Sequence, residues 1–182
     1  MNVSLKALVA KLNQSTRSAL EAAAGLCVSR THYDVEVEHF LTKLLDATDG
    51  DFDHIMQRFG VDRSRLSADL TKSLDALKSG NARTPAFSPS LAKMLEEAWK
   101  AGSLEYGLGE IRSGLTILAL AADPELRRMA HDISPELRKI AAAPLQSEFT
   151  SILEGSKEDS ETAAAAKSAS APGQAWTPGK TI

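Results

Sequence analysis

Near its end the chain reads GQAWTPGKTI (173–182), and the order glycine, glycine, lysine, threonine is that of a phosphate-cradling loop. A P-loop keeps four residues between its first glycine and the Gly-Lys pair, and it joins a strand to a helix whose N–H groups face the phosphates. Here five residues separate Gly173 from Gly179, SASAP comes before, and Pro178 removes one N–H. The stretch is not expected to bind nucleotide.

Other groups that could do chemistry are the histidines and a run of acids. His32 and His39 lie seven residues apart, a spacing that one helix would align, but Asp34 between them reads as a helix cap. His54 and His131 stand alone. No acid or cysteine completes a ligand set, so structural or surface histidines and no metal are expected. Asp34, Glu36 and Glu38 in DVEVEH suggest paired carboxylates, yet at a helix start they are expected to satisfy free N–H groups and complement the dipole. No Gly-x-Ser-x-Gly elbow frames a serine. The basic pairs in DRSR and LRR are diluted by acids and lack interleaved aromatics, which argues against nucleic acid. These residues give no active site and no cofactor, so the sequence predicts a non-catalytic chain.

Composition narrows the remaining classes. The 182 residues suffice for one ordinary domain with a tail; 43% are hydrophobic but only 5% aromatic, and leucine and alanine carry the apolar weight. That suits helix packed on helix. A net charge of −3 gives no reason to expect nucleic acid or an anionic membrane surface. Cys27 is the single cysteine, so no internal disulfide forms and a reducing compartment fits. MNVSLKALVAKLN lacks a signal-peptide core, and the longest apolar run, Ile117 to Ala122, is too short to span a bilayer. A soluble, cytoplasmic chain is expected.

Helical periodicity dominates residues 1–154. Leu5, Leu8, Val9 and Leu12 stripe a short first helix; Asn13 caps a second bearing Leu20, Ala23, Ala24 and Cys27. Asp34 is expected to cap a third, with Val37, Phe40, Leu41, Leu44 and Leu45 inward. Asp51 precedes Phe52, Ile55, Met56 and Phe59, and Asp62 precedes Leu66, Leu70, Leu74 and Leu77. After the connector SGNARTPA, Ser88-Pro89 opens a helix with Leu91, Met94, Leu95, Ala98 and Trp99; Asp123-Pro124 and Ser134-Pro135 repeat that start signal. No strand is predicted. From Gly155 to Ile182, 19 of 28 residues are Gly, Ser, Ala, Pro or Thr, and 155–182 reads as a flexible linker.

The second half resembles the first. A shift of 75 pairs LNQSTRSALEAAAG with FSPSLAKMLEEAWK, and a shift of 74 pairs VEVEHFLTKLLDATD with GEIRSGLTILALAAD, six of fifteen identical. This predicts an all-α fold made of a duplicated four-helix repeat, about 12–78 and 87–150, related by a pseudo-twofold and preceded by an extra helix.

That extra helix is apolar on two sides. Val3, Ala7 and Ala10 oppose the leucine stripe with side chains small enough for another helix to approach closely, whereas a core helix normally shows one stripe. The alternative is that all of them pack inside. If Asn13 and Ser88 open equivalent helices near each other, Phe87 comes close to the small-residue side. The groove so defined takes in Val3, Ala7, Ala10, Lys11, Asn13, Gln14, Arg17, Ala86, Phe87, Ser88 and Leu91, with Lys11 and Arg17 on its rim to steer an acidic peptide.

RSALEAAAGLCVSRTHYDVEVEHFLTKLLD resembles the opening repeat of the Clp N-terminal domain, the module with which Clp-type AAA+ unfoldases choose substrates or adaptors. AAAGLCVSRTHYDVEVEHFL is most similar to the ClpV branch, which serves type VI secretion. The likeness covers about residues 5–150; Glu38, His39, Leu41 and Leu44 belong to a pattern that marks the fold. The resemblance implies a partner, a helix at the N-terminus of a sheath subunit. It also implies ATP and Mg²⁺ bound in AAA+ modules outside this sequence, a hexameric parent ring, and a fragment that is monomeric alone. Competing expectations are a general Clp domain holding exposed apolar segments, and a purely structural helical module.

Overall fold

Side-chain caps start most helices where the sequence places them. Ser4 accepts from the Ala7 N–H, opening α1 (Leu5–Ala10), and Asn13 accepts from Thr16, opening α2 (Gln14–Ser29). Asp62 opens α5 (Arg63–Asp75), Ser88 opens α6 (Pro89–Glu105) and Asp123 opens α8 (Pro124–Ile133) in the same way. Between them lie α3 (Val37–Asp46), α4 (Asp51–Phe59) and α7 (Ser113–Ala122), and the chain continues through a 3-10 turn (Pro135–Lys139), α9 (Ala142–Ser147) and α10 (Phe149–Leu153). This computed structural model describes residues 4–161.

Two expected caps move. Glu36, not Asp34, precedes α3 and forms a capping box with His39. Gly50 precedes α4, so Asp51 is its first residue. Asp34 is displaced because Asp34–Val35 (β1) is extended and pairs in parallel with Ala86–Phe87 (β2). At two residues each these strands are too short to show alternation, which is why none was predicted.

The duplication is real and its register can be read from those pairs. Val35 stands opposite Phe87, and Leu12 stands opposite Ile111 in an isolated parallel bridge. The N–H of Ser88 donates to the Val35 carbonyl and that of Asn13 to the Ile111 carbonyl, each at 3.0 Å. Each repeat thus lends its second-helix approach to the cap of the other's first. Leu12 corresponds to Phe87 at the expected shift of 75, but Val35 corresponds to Ile111, a shift of 76 rather than 74. α7 is buried from Ser113 through Ala121, so it offers apolar residues in any register.

The core joins both repeats: Leu8, Phe40, Leu41, Ile55, Leu70, Met94, Leu95 and Leu115 are all buried. α7 is the central helix, touching α6, α8, α4 and α9. The second repeat departs from the first at its fourth element. α5 is one helix, whereas the later stretch is split into the 3-10 turn, α9 and α10; Pro135 and Pro144 sit in the first turns of the first two, where a proline can start a helix but not continue one from before.

The boundary expected at Gly155 is also corrected. Ser156 and Glu158 are buried, and residues 157–161 are helical. The Glu158 carboxylate accepts from the N–H groups of Asp51 and Ser113, each at 2.8 Å, closing the open starts of α4 and α7. A polar, serine-containing segment packs here because its acids meet unsatisfied helix N–H groups, a gain that composition does not register. The rest of the expected linker, with its P-loop-like stretch, lies outside the described residues.

Candidate partner-binding face

α1 lies against α6, holding only Leu8 fully buried. Ala7 and Ala10 remain exposed, so the small-residue side is not absorbed into the core. At the end of α1, Lys11 sets its ammonium 5.4 Å from the centre of the Trp99 ring. Arg17 sends Nη2 to the Leu12 carbonyl at 3.3 Å. Both cations act on Glu110, whose carboxyl is pushed up by burial and by Glu161 while Arg17 and Lys11 pull it back. Ala7, Ala10, Lys11 and Gln14 are therefore exposed along α1 and the start of α2, with Arg17 half-buried one turn further on.

The other proposed members separate from them. Asn13, Ser88 and Leu91 are at most 2% exposed and are corrected to interior roles. Asn13 spends Oδ1 on the Thr16 N–H and Nδ2 on Glu158, Ser88 caps Leu91, and Leu91 is core. Ala86 is exposed, and Phe87 is half-buried against the core beside Val35. Trp99 meets Lys11 twelve residues after Phe87, about 18 Å along a helix. The end of α1 thus meets the third turn of α6 rather than its beginning. Val3 lies outside the described residues.

Elsewhere the polar groups serve the fold. His32 Nδ1 and His39 Nε2 are 2.8 Å apart inside the molecule, and His39 Nδ1 accepts from the Glu36 N–H at 2.9 Å. Burial, then Asp34 and Glu36, pushes the Cys27 thiol up, away from the reactive thiolate. Among the described residues no group of three or more His, Cys, Asp or Glu could hold a metal, and no helix is long and apolar enough to cross a membrane.

Sequence reasoning missed two features. One is the buried cluster of Asp51, Arg112 and Glu158, joined at its edge by Asp159, whose members are scattered over more than a hundred residues. The other is a groove between α6 and α7 lined by Ala101, Leu104, Leu118, Ala119 and Ala122, with Leu104 82% exposed. An outward leucine near the end of α6 was the available signal for it.

Comparison with known proteins bears on this geometry. The family model described as Clp repeat (R) N-terminal domain matches residues 11–132, leaving α1 and everything after α8 outside the matched span. The chain is 32% identical over 174 residues to the AAA+ ATPase ClpV1 of Pseudomonas aeruginosa, covering 95% of this chain and 19% of that protein. It is 34% identical over 163 residues to the chaperone protein ClpB of Yersinia enterocolitica, covering 90% of this chain and 18% of that one. It thus spans about a fifth of the length of these relatives. Among solved structures, one from work on the coevolution of the ATPase ClpV, the TssB-TssC sheath and the accessory HsiE protein has a TM-score of 0.82 at 31% identity, over 86% of this chain and 97% of that one. A complex of a ClpV N-domain with a VipB peptide has a TM-score of 0.75 at 30% identity, over 87% of this chain and 96% of that one. With its two pseudo-symmetric repeats and these matches, the chain belongs to the Clp repeat N-terminal domain family and is similar, within it, to ClpV N-domains.

Proposed function

We propose that this domain is the recognition module of a type VI secretion unfoldase and takes up a short helix from the N-terminus of a contracted sheath subunit. The observation that carries the reading is the exposed pair Ala7 and Ala10 on the side of α1 opposite buried Leu8. Small side chains at that spacing leave room for a second helix, docked by i, i+3, i+4 anchors. The ClpV N-domain solved with a VipB peptide supports it, since its fold is that of this chain. Lys11 and Arg17 favour acidic residues on the incoming helix. In this reading the domain hydrolyses nothing; ATP and Mg²⁺ belong to AAA+ modules of a cytoplasmic, hexameric parent. Micromolar affinity, about −8 kcal/mol, suffices, because several tethered domains add avidity.

The similarity to ClpB favours a second reading, in which the domain holds exposed apolar segments of many proteins. Titration calorimetry separates the two. Saturable micromolar binding of a sheath-subunit N-terminal helix, without binding of an unrelated amphipathic helix of equal length, is the expected result. Equal binding of both would transfer the function to the general reading.

A further inference from the structure

Residues 155–161 form a strap across the starts of three helices. Glu158 is 1% exposed, and its two oxygens take four hydrogen bonds: Oε1 from Asn13 Nδ2 (3.1 Å) and the Ser113 N–H (2.8 Å), Oε2 from the Asp51 N–H (2.8 Å) and the Ser113 hydroxyl. Glu161 accepts from the Ser15 N–H at 2.8 Å and from its hydroxyl at 2.6 Å. Asp159 takes a bond from Arg112, and the Lys157 N–H donates to the Asp49 carbonyl. The strap's acids thus meet the N-termini of α2, α4 and α7, where backbone N–H groups concentrate positive potential.

We propose that Glu158 and Glu161 are positioning residues for the α1–α2 partner face. α1 has six residues and one buried side chain, too short to hold a direction by itself. Its course relative to α2 is set by its packing on α6 and by the junction Lys11–Leu12–Asn13, whose backbone also bonds to Ile111. The strap clamps the far side of that junction twice, at Asn13 through Glu158 and at Ser15 through Glu161. Without the clamp the junction samples more orientations, and the competent one must be selected at binding, which lowers apparent affinity. Coupling of this kind is reciprocal: a helix docked on α1 holds the strap down, so occupancy of the face is felt by the segment leaving the domain. The proposal rests on the α1–α2 face being the partner site. α1 and the strap both lie outside the span that the family model matches.

The test uses the full chain with a sheath-subunit N-terminal helix as probe, its affinity read by calorimetry and strap protection by hydrogen exchange of residues 155–161. Glu158→Ala is expected to weaken binding about tenfold or more, and Glu161→Ala about threefold, with faster exchange of the strap in both. Leu74→Ala, a core change far from the strap, should lower the melting temperature and leave affinity within about twofold. In the unaltered protein, saturating peptide should slow strap exchange. If Glu158→Ala fails to fold, Glu161→Ala alone decides. Unchanged affinity in a variant whose strap exchanges freely would overturn the proposal while leaving the partner face intact. Absence of binding to the unaltered protein would remove the partner face and this inference together.

Discussion

Arg112 grips Asp51 through two parallel hydrogen bonds, Nε to Oδ2 and Nη2 to Oδ1, each 2.8 Å long, and the Asp51 side chain is wholly buried. The pair joins the first turn of α4 in one repeat to the cap of α7 in the other. Gly114 completes it: its N–H donates to Asp51 at 3.0 Å, and a Cβ there would lie 2.8 Å from Leu153 and 2.9 Å from the Asp51 carboxylate. Burial works against the charged guanidinium, but its bonds to Asp51 and Asp159 outweigh that and raise its pKa.

Removing one partner leaves an uncompensated buried charge. Arg112→Met should therefore destabilise the domain by about 3–5 kcal/mol, read from urea unfolding. A loss below about 1 kcal/mol would show that this ion pair adds little to the strand pairing and apolar packing that also join the two repeats.

The buried histidines predict a pH dependence of definite sign. Because His39 Nδ1 accepts from Glu36, its ring proton sits on Nε2 and is donated to His32 Nδ1, so both rings are neutral. Burial, then His32 and Arg30, lowers His39 from 6.5 to about 4, and burial and Arg30 lower His32 as well. Between those values the unfolded chain binds protons that the folded one does not. The histidine contribution is thus fully present above pH 6.5 and is lost as pH falls towards about 4. Melting temperatures across that window should fall more steeply with acid for the unaltered protein than for His39→Gln; parallel profiles would contradict the neutral pair.

Leu44 lies in α3 with 3% exposure. Leu44→Ala should cost about 2–5 kcal/mol, the range for a buried leucine, and a near-neutral result in chemical unfolding would mean that the α3 stripe is not core.

Phe87 illustrates how the structure changes an expectation. From sequence it is an exposed connector aromatic whose loss weakens binding at little cost in stability. Half-buried beside Val35 and packed on the core, it should cost about 1–3 kcal/mol on Phe87→Ala, below the 3–5 of a fully buried phenylalanine. Thermal unfolding measures this, and an unchanged melting temperature would return Phe87 to the surface.

What could be read from the sequence was local. Caps at Asn13, Asp62, Ser88 and Asp123 and the stripes of α3 and α5 follow from side chains acting within one turn. The duplication was visible because equivalent elements keep equivalent signals. Failures arose where distant groups decide. Asp34 makes an acceptable cap, but strand pairing with Ala86 extends the backbone there. The linker composition of 155–161 conceals Glu158, whose partners Asn13, Asp51 and Ser113 come together only in the folded chain. On the proposed partner face, the exposure of Ala7, Ala10, Lys11 and Gln14 was legible, because their spacing sets them off from the leucine stripe. Asn13 and Ser88 were misplaced because a capping side chain is spent on its own helix.

The proposed function requires a partner helix to dock on α1 and the first turns of α2. Amide shifts of the isotope-labelled domain, followed by NMR during titration with a sheath-subunit N-terminal helix, test it most directly. Docking there should give saturable shifts centred on Ala7, Ala10, Lys11, Gln14 and Arg17, abolished by Ala7→Glu with the melting temperature unchanged. Shifts centred instead on Ala101, Leu104 and Ala119, in the groove between α6 and α7, would contradict it.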